Sequence, residues 1–129
     1  MQGFCGSIGL MILTASALAQ NPIQSAPAKA ANRANPFEGS ERARLAGAKL
    51  FQRECAACHG AKGQGIGKAP ALNGPAVSFA PAGALFWVIK NGSLRKGMPS
   101  FAHLPAAQRW QVVTFLRSLS SASRRAAEP

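Results

Sequence analysis

The chain has 129 residues, 47% of them hydrophobic, with 15 Lys and Arg against four Glu and no Asp, a formal net charge of +11. That length holds one domain, and the basic surplus points to an anionic partner. Nucleic acid matches that surplus poorly, because the basic residues form no groove-reading motif.

The first predicted element is a leader. Residues 3–19 carry no charge and include the apolar run Ile8-Gly9-Leu10-Met11-Ile12-Leu13, followed by Ala17-Leu18-Ala19, an A-x-A cleavage signal. The run is shorter than the roughly 20 residues of a membrane-spanning helix, which disfavours an uncleaved anchor. Export to the periplasm is therefore expected, with residues 1–19 removed. Cys5 leaves with them, so Cys55 and Cys58 become the only cysteines and no disulfide framework is needed. Residues 20–36, rich in Ala, Asn and Pro without a sustained apolar period, read as a flexible tether.

The next predicted element is a helix. Ser40 can cap it, Glu41 suits its positive end, and Gly47, Leu50, Phe51, Cys55 and Cys58 recur at three- and four-residue steps as far as His59. Gly60 is placed to end it. Gly47 costs about 1 kcal/mol against Ala inside a helix, so another backbone is expected to cross there.

The end of this helix carries Cys55-Ala56-Ala57-Cys58-His59, a CxxCH motif. Three- and four-residue spacing puts the two thiols and the imidazole on one helix face, which suits a single flat ligand. The motif reads as a covalent haem c attachment site, with His59 reaching the iron. Two other readings compete. A zinc site needs two more ligands, for which only Cys5 and His103 remain. A thiol-disulfide motif belongs in a βαβ context, and no strand is predicted on either side.

Residues 61–81 hold four Gly and three Pro and read as loop. Ala82 to Asn91 reads as a helix stopped by Gly92. Met98 follows in Lys96-Gly97-Met98-Pro99-Ser100-Phe101, 39 residues after His59, and is the only methionine outside the leader. A thioether there would complete the iron's coordination from the far side and raise its potential, and Pro99 restricts the backbone that carries it. His103 is the rival distal ligand. The last helix begins near Pro105, with Trp110, Val113 and Leu116 or Val112, Phe115 and Leu119 at helical spacing, and residues 120–129 read as a disordered tail. Trp87 and Trp110 read as core residues, with the haem pocket or a propionate contact from Trp87 and Asn91 as alternatives.

Residues 37–119 resemble class I cytochrome c. The family's Gly-x-x-x-Phe-x-x-x-Cys-x-x-Cys-His pattern is matched by Gly47, Phe51, Cys55, Cys58 and His59, and its Gly-Met-Pro-aromatic loop is similar to Gly97-Met98-Pro99. The resemblance implies an all-α fold of three main helices with Gly/Pro-rich loops wrapped around one covalently attached haem, the first and last helices crossing. It implies that Gly47 and Phe51 meet Val112 and Phe115, and that Pro70 holds the proximal imidazole through its carbonyl. It implies an electron carrier rather than an enzyme, with Cys55 and Cys58 binding haem c and His59 and Met98 binding iron.

The partners implied are a dehydrogenase or quinol-oxidising complex as donor and an oxidase or reductase as acceptor, met by a monomer. Lys62, Lys68, Lys90, Arg95 and Lys96 flank the segments expected to hold the haem, so acidic docking surfaces on those partners fit, and anionic membrane lipid stays open as a contact. A vacant iron face would instead make a peroxidase-like enzyme or a gas sensor.

Overall fold

Six α-helices follow one another in the computed structural model, which describes residues 21–128: α1 (Ala28–Ala31), α2 (Glu41–Glu54), α3 (Ala56–His59), α4 (Pro75–Ser78), α5 (Ala82–Asn91) and α6 (Ala106–Ala127). Turns of 3₁₀ helix occupy Pro22–Ser25 and Leu94–Lys96. The described residues hold no strand, only isolated bridges pairing Ile66 with Ala69 and Ser93 with Met98. The expected all-α architecture is the observed one. The leader, residues 1–19, lies outside the described residues.

Ser40 starts α2 as its composition suggests: the hydroxyl accepts the Ala43 amide at 3.2 Å. Ala43, Gly47, Leu50 and Phe51 then form its buried stripe. That stripe packs across α6. A methyl group on Gly47 would overlap the Gln111 carbonyl and stand 3.0 Å from Phe115 Cβ, so glycine is what lets the two backbones approach. Phe51, fully buried, meets Phe115 with ring centroids 5.1 Å apart and planes tilted by 53°. Val112 is buried one residue beyond the contact point. The glycine faces the backbone of Gln111 rather than the Val112 side chain.

The helix expected to run to His59 is broken. Cys55 leaves the helical region at φ −121°, ψ −34°, and its carbonyl starts a fresh turn by accepting the amides of Cys58 at 3.2 Å and His59 at 3.0 Å. The Gln52 side chain holds the corner by donating to the Ala61 carbonyl at 2.8 Å.

Two segments expected to lack structure are built into the fold. In residues 20–36 the described part begins with Asn21, whose side chain accepts the Ile23 amide at 3.0 Å. Alpha-helix α1 then lies on α5, where a methyl on Gly83 would overlap the Ala30 carbonyl and come 2.7 Å from that of Ala31. Asn35 is buried, its side-chain amide donating to Thr114 Oγ1 at 2.9 Å while its Oδ1 accepts the Phe37 amide at 2.9 Å. This is a packed strap. The tail, residues 120–129, continues α6 as far as Ala127, with Ser120 2% exposed. Ala and Arg are strong helix formers, Arg124 and Arg125 suit the negative end of the helix dipole, and the Ser121 hydroxyl donates to the Arg117 carbonyl at 3.1 Å.

Between the helices, one side chain closes the loop over residues 77–80. Arg117 donates Nη1 to the carbonyls of Val77 at 3.1 Å and Ser78 at 2.7 Å, and Nη2 to that of Ala80. A guanidinium with five N–H groups can serve three carbonyls of one turn at once. Alpha-helix α4 is a single turn inside this stretch, and α5 has the expected bounds, ended by Gly92 at φ +69°.

Candidate functional site

The corner between α2 and α3 brings Cys55, Cys58 and His59 together. Both cysteines are free thiols, Cys55 partly buried and Cys58 exposed. Burial, helped by the charges of Glu54 and Cys58, pushes the Cys55 thiol up to about 11. It is therefore protonated at neutral pH, which slows disulfide formation, a reaction that needs the thiolate.

His59 is oriented from outside its helix. Its Nδ1 lies 2.9 Å from the Pro70 carbonyl oxygen. A carbonyl only accepts, so Nδ1 carries a proton, and Nε2 is the nitrogen whose lone pair a metal would take. This is the contact expected of Pro70. The device that delivers it is a neighbouring glycine: Gly65, at φ +87°, passes so close that a methyl would lie 2.9 Å from both the Ala69 carbonyl oxygen and the Ala71 nitrogen. The Gly65 amide also donates to the His59 carbonyl at 2.7 Å. Only an unsubstituted backbone fits between the imidazole's turn and the segment that bonds it.

Met98 stands on a separate loop. Ser93 and Met98 exchange both backbone hydrogen bonds, at 2.9 and 3.1 Å, around the 3₁₀ turn, and Gly97 takes the left-handed φ of +84°. Beyond Met98, the Phe101 amide donates to the Ile89 carbonyl at 2.9 Å and the Ser100 hydroxyl to that of Lys90 at 2.6 Å, tying the loop to the end of α5. Met98 and Cys55 are both partly buried and pack against the same apolar core. His103 lies exposed, its ring 5.8 Å from that of Phe101. Trp110 is a core residue stacked on Phe86 at 4.0 Å, and the Asn91 amide donates to the Trp87 carbonyl within its own helix at 2.8 Å.

Among the described residues no three His, Cys, Asp or Glu side chains converge as a metal cluster, which leaves the zinc reading without a ligand set. The three groups at the corner suit a larger ligand: two thiols and one imidazole turned by Pro70, with an apolar core beneath. Residues 42–116, which include Cys55, Cys58, His59, Pro70 and Met98, match the family model described as cytochrome c oxidase, cbb3-type, subunit III. The chain belongs to this family of c-type cytochromes. Among solved structures it is similar to cytochrome CL from the marine methylotrophic bacterium Methylophaga aminisulfidivorans, with 22% identity and a TM-score of 0.57 over 73% of this chain and 71% of that one. That likeness shows the same fold. No curated protein matches the chain.

As a member of this family the cytochrome uses haem c and works in electron transfer. The basic residues Lys62, Lys68, Lys90, Arg95 and Lys96 are all exposed. Among the described residues, no helix of the cytochrome is long and apolar enough to cross a membrane. Sequence reasoning missed Gly65 as a site residue, although its place in a Gly-rich run five residues before Pro70 was available as a signal.

Proposed function

We propose that the protein is a periplasmic one-electron carrier holding a single haem c. Cys55 and Cys58 would hold the group through thioether bonds, His59 through Nε2 and Met98 through its sulfur. The observation that carries this reading is the 2.9 Å contact of His59 Nδ1 with the Pro70 carbonyl, which prepares the opposite ring nitrogen to bind iron. Bound haem c supplies the Fe(III)/Fe(II) couple.

The chain's own residues do the rest. Pro70 fixes the imidazole's tautomer and raises its basicity, and the tied-down loop of Met98 limits exchange of that ligand. Two protein ligands would leave no position for a substrate, in keeping with transfer rather than catalysis. Exposed Lys62, Lys68, Lys90 and Arg95 support docking of acidic redox partners, a dehydrogenase or quinol-oxidising complex as donor and an oxidase or reductase as acceptor. The family's description favours a terminal oxidase among the acceptors. Export rests on the Ala17-Leu18-Ala19 signal.

The test is mass and visible spectroscopy of protein exported from a host that matures c-type haem. Wild type and Met98→Ala should both carry haem on the peptide containing Cys55 and Cys58, and only the wild type should show the ferric Met-to-iron charge-transfer band. An unmodified polypeptide overturns the reading. Carbon monoxide binding by reduced wild type at neutral pH replaces the six-coordinate carrier with a protein that has a vacant iron face.

A further inference from the structure

Two guanidinium groups meet on one aromatic ring with no acid beside them. Arg33 comes from the strap and Arg109 from the first turn of α6, and their guanidinium carbons lie 4.8 and 4.6 Å from the centroid of Phe86. Arg33 also lies 5.5 Å from the ring of Trp110, which stacks on Phe86. Arg109 is only 8% exposed, and its Nη1 is buried without a hydrogen-bond partner. Burial and the neighbouring Arg33 charge both push the Arg109 guanidinium below its ordinary value.

The surroundings add positive potential. Arg109 Nε donates to the Leu104 carbonyl at 3.1 Å, one residue before the Pro105 N-cap, so the guanidinium lies back along the mouth of α6. That helix has 22 residues, no side-chain cap and no acidic residue in its first turn, which leaves the positive end of its dipole uncompensated. All four acids lie elsewhere. Glu41 pairs with Arg44 and Glu54 with Arg53. Glu38 lines a cleft with Thr114, Arg117 and Arg124 further along α6, and Glu128 lies beyond its other end. Neither Arg33 nor Arg109 forms an ion pair among the described residues.

We propose that Arg33, Arg109 and the uncapped N-terminus of α6 form a binding site for a phosphate-class oxyanion, taken either as the free ion or as the headgroup of an anionic phospholipid. A tetrahedral oxyanion offers acceptors to the backbone amides of the first turn and to the forked donors of both guanidiniums at once. Arg33 is exposed and its side chain makes only ring contacts, so turning onto a ligand breaks no hydrogen bond. The family match begins at residue 42, so the strap that contributes Arg33 lies outside it. The site is independent of how iron is ligated.

The test is calorimetric titration of the holoprotein with inorganic phosphate, at an ionic strength fixed by sodium chloride, together with co-sedimentation on phosphatidylglycerol and phosphatidylcholine vesicles. Phosphate should bind saturably, Arg33→Gln should weaken it about tenfold by removing one charge-assisted contact, and Lys29→Gln, one turn back on the strap, should leave it unchanged. Because Arg109→Gln can upset the core, its phosphate titration is read beside its melting curve and Arg33→Gln carries the argument. Phosphate saturation without vesicle binding assigns the free ion. Binding to phosphatidylglycerol vesicles alone, lost in Arg33→Gln and kept in Lys29→Gln, assigns the lipid headgroup. Heats indistinguishable from dilution together with no sedimentation on phosphatidylglycerol vesicles overturn the proposal, as does equal weakening by Arg33→Gln and Lys29→Gln. Equal binding of acetate assigns the pair to a protein carboxylate and also overturns it.

Discussion

The crossing of α2 with α6 and the stretch from Gly60 to Gly97 are made in opposite ways. At the crossing, side-chain volume decides the shape: Phe51, Val112 and Val113 are fully buried, and one glycine admits the facing backbone. In the stretch from Gly60 to Gly97 the backbone decides. Six of the seven positive-φ glycines among the described residues lie there, and outside α4 and α5 its hydrogen bonds join loop to loop, while Ile66, Phe79 and Leu94 are left exposed. A region closed by packing carries its own stability, whereas a region closed by turns relies on what it wraps.

The largest break in this contrast should come from the crossing. Phe51→Ala is expected to cost about 3–5 kcal/mol, lowering the melting temperature of the holoprotein by at least about 12 °C while the haem stays attached. A fall of only a few degrees would show that the crossing is not the scaffold. Gly47→Ala comes next, at about 1–3 kcal/mol, because the new methyl meets carbonyl backbone rather than a side chain that can rotate away. Calorimetric scans of the two variants measure both.

The joint between the regions offers a titration. In chain made without haem, iodoacetamide should modify Cys58 first, and the Cys55 rate should climb until pH about 11. The folded chain binds that proton more tightly than the unfolded one, so stability without haem should fall as pH rises from 9 towards 11. An ordinary thiol profile for Cys55 would mean that the corner closes only around its cofactor. The smallest effect is expected inside the loops. Pro70→Ala keeps the carbonyl that His59 needs and should cost under about 1 kcal/mol, leaving the visible spectrum unchanged.

These contrasts also explain what could be read in advance. Ser40, the apolar run of α5 and Gly92 are local signals: α2 starts where Ser40 places it, and α5 has the expected bounds. CxxCH and Gly47 are short local patterns, and the family match contains both. The strap was illegible because nothing in it is periodic. Its hold comes from Asn35 finding Thr114 and from small residues lying on Gly83, contacts made by partners far away in sequence. Arg117 looks like surface charge until its three carbonyl acceptors are seen, and the break at Cys55 interrupts a stripe whose spacing runs on unbroken. Arg109 is the hardest to foresee, since a first-turn arginine is normally solvated and this one is folded inward.

Asn35 and Thr114 are 79 residues apart. The bond that seats the strap, like the meeting of Phe51 with Phe115, must wait until the carboxy-terminal helix has been synthesised. The thiols and imidazole beyond Phe51 thus emerge on an open chain, well before the walls that later confine them. If haem is attached there, machinery that links it would meet the two thiols before the strap and the carboxy-terminal helix have come together.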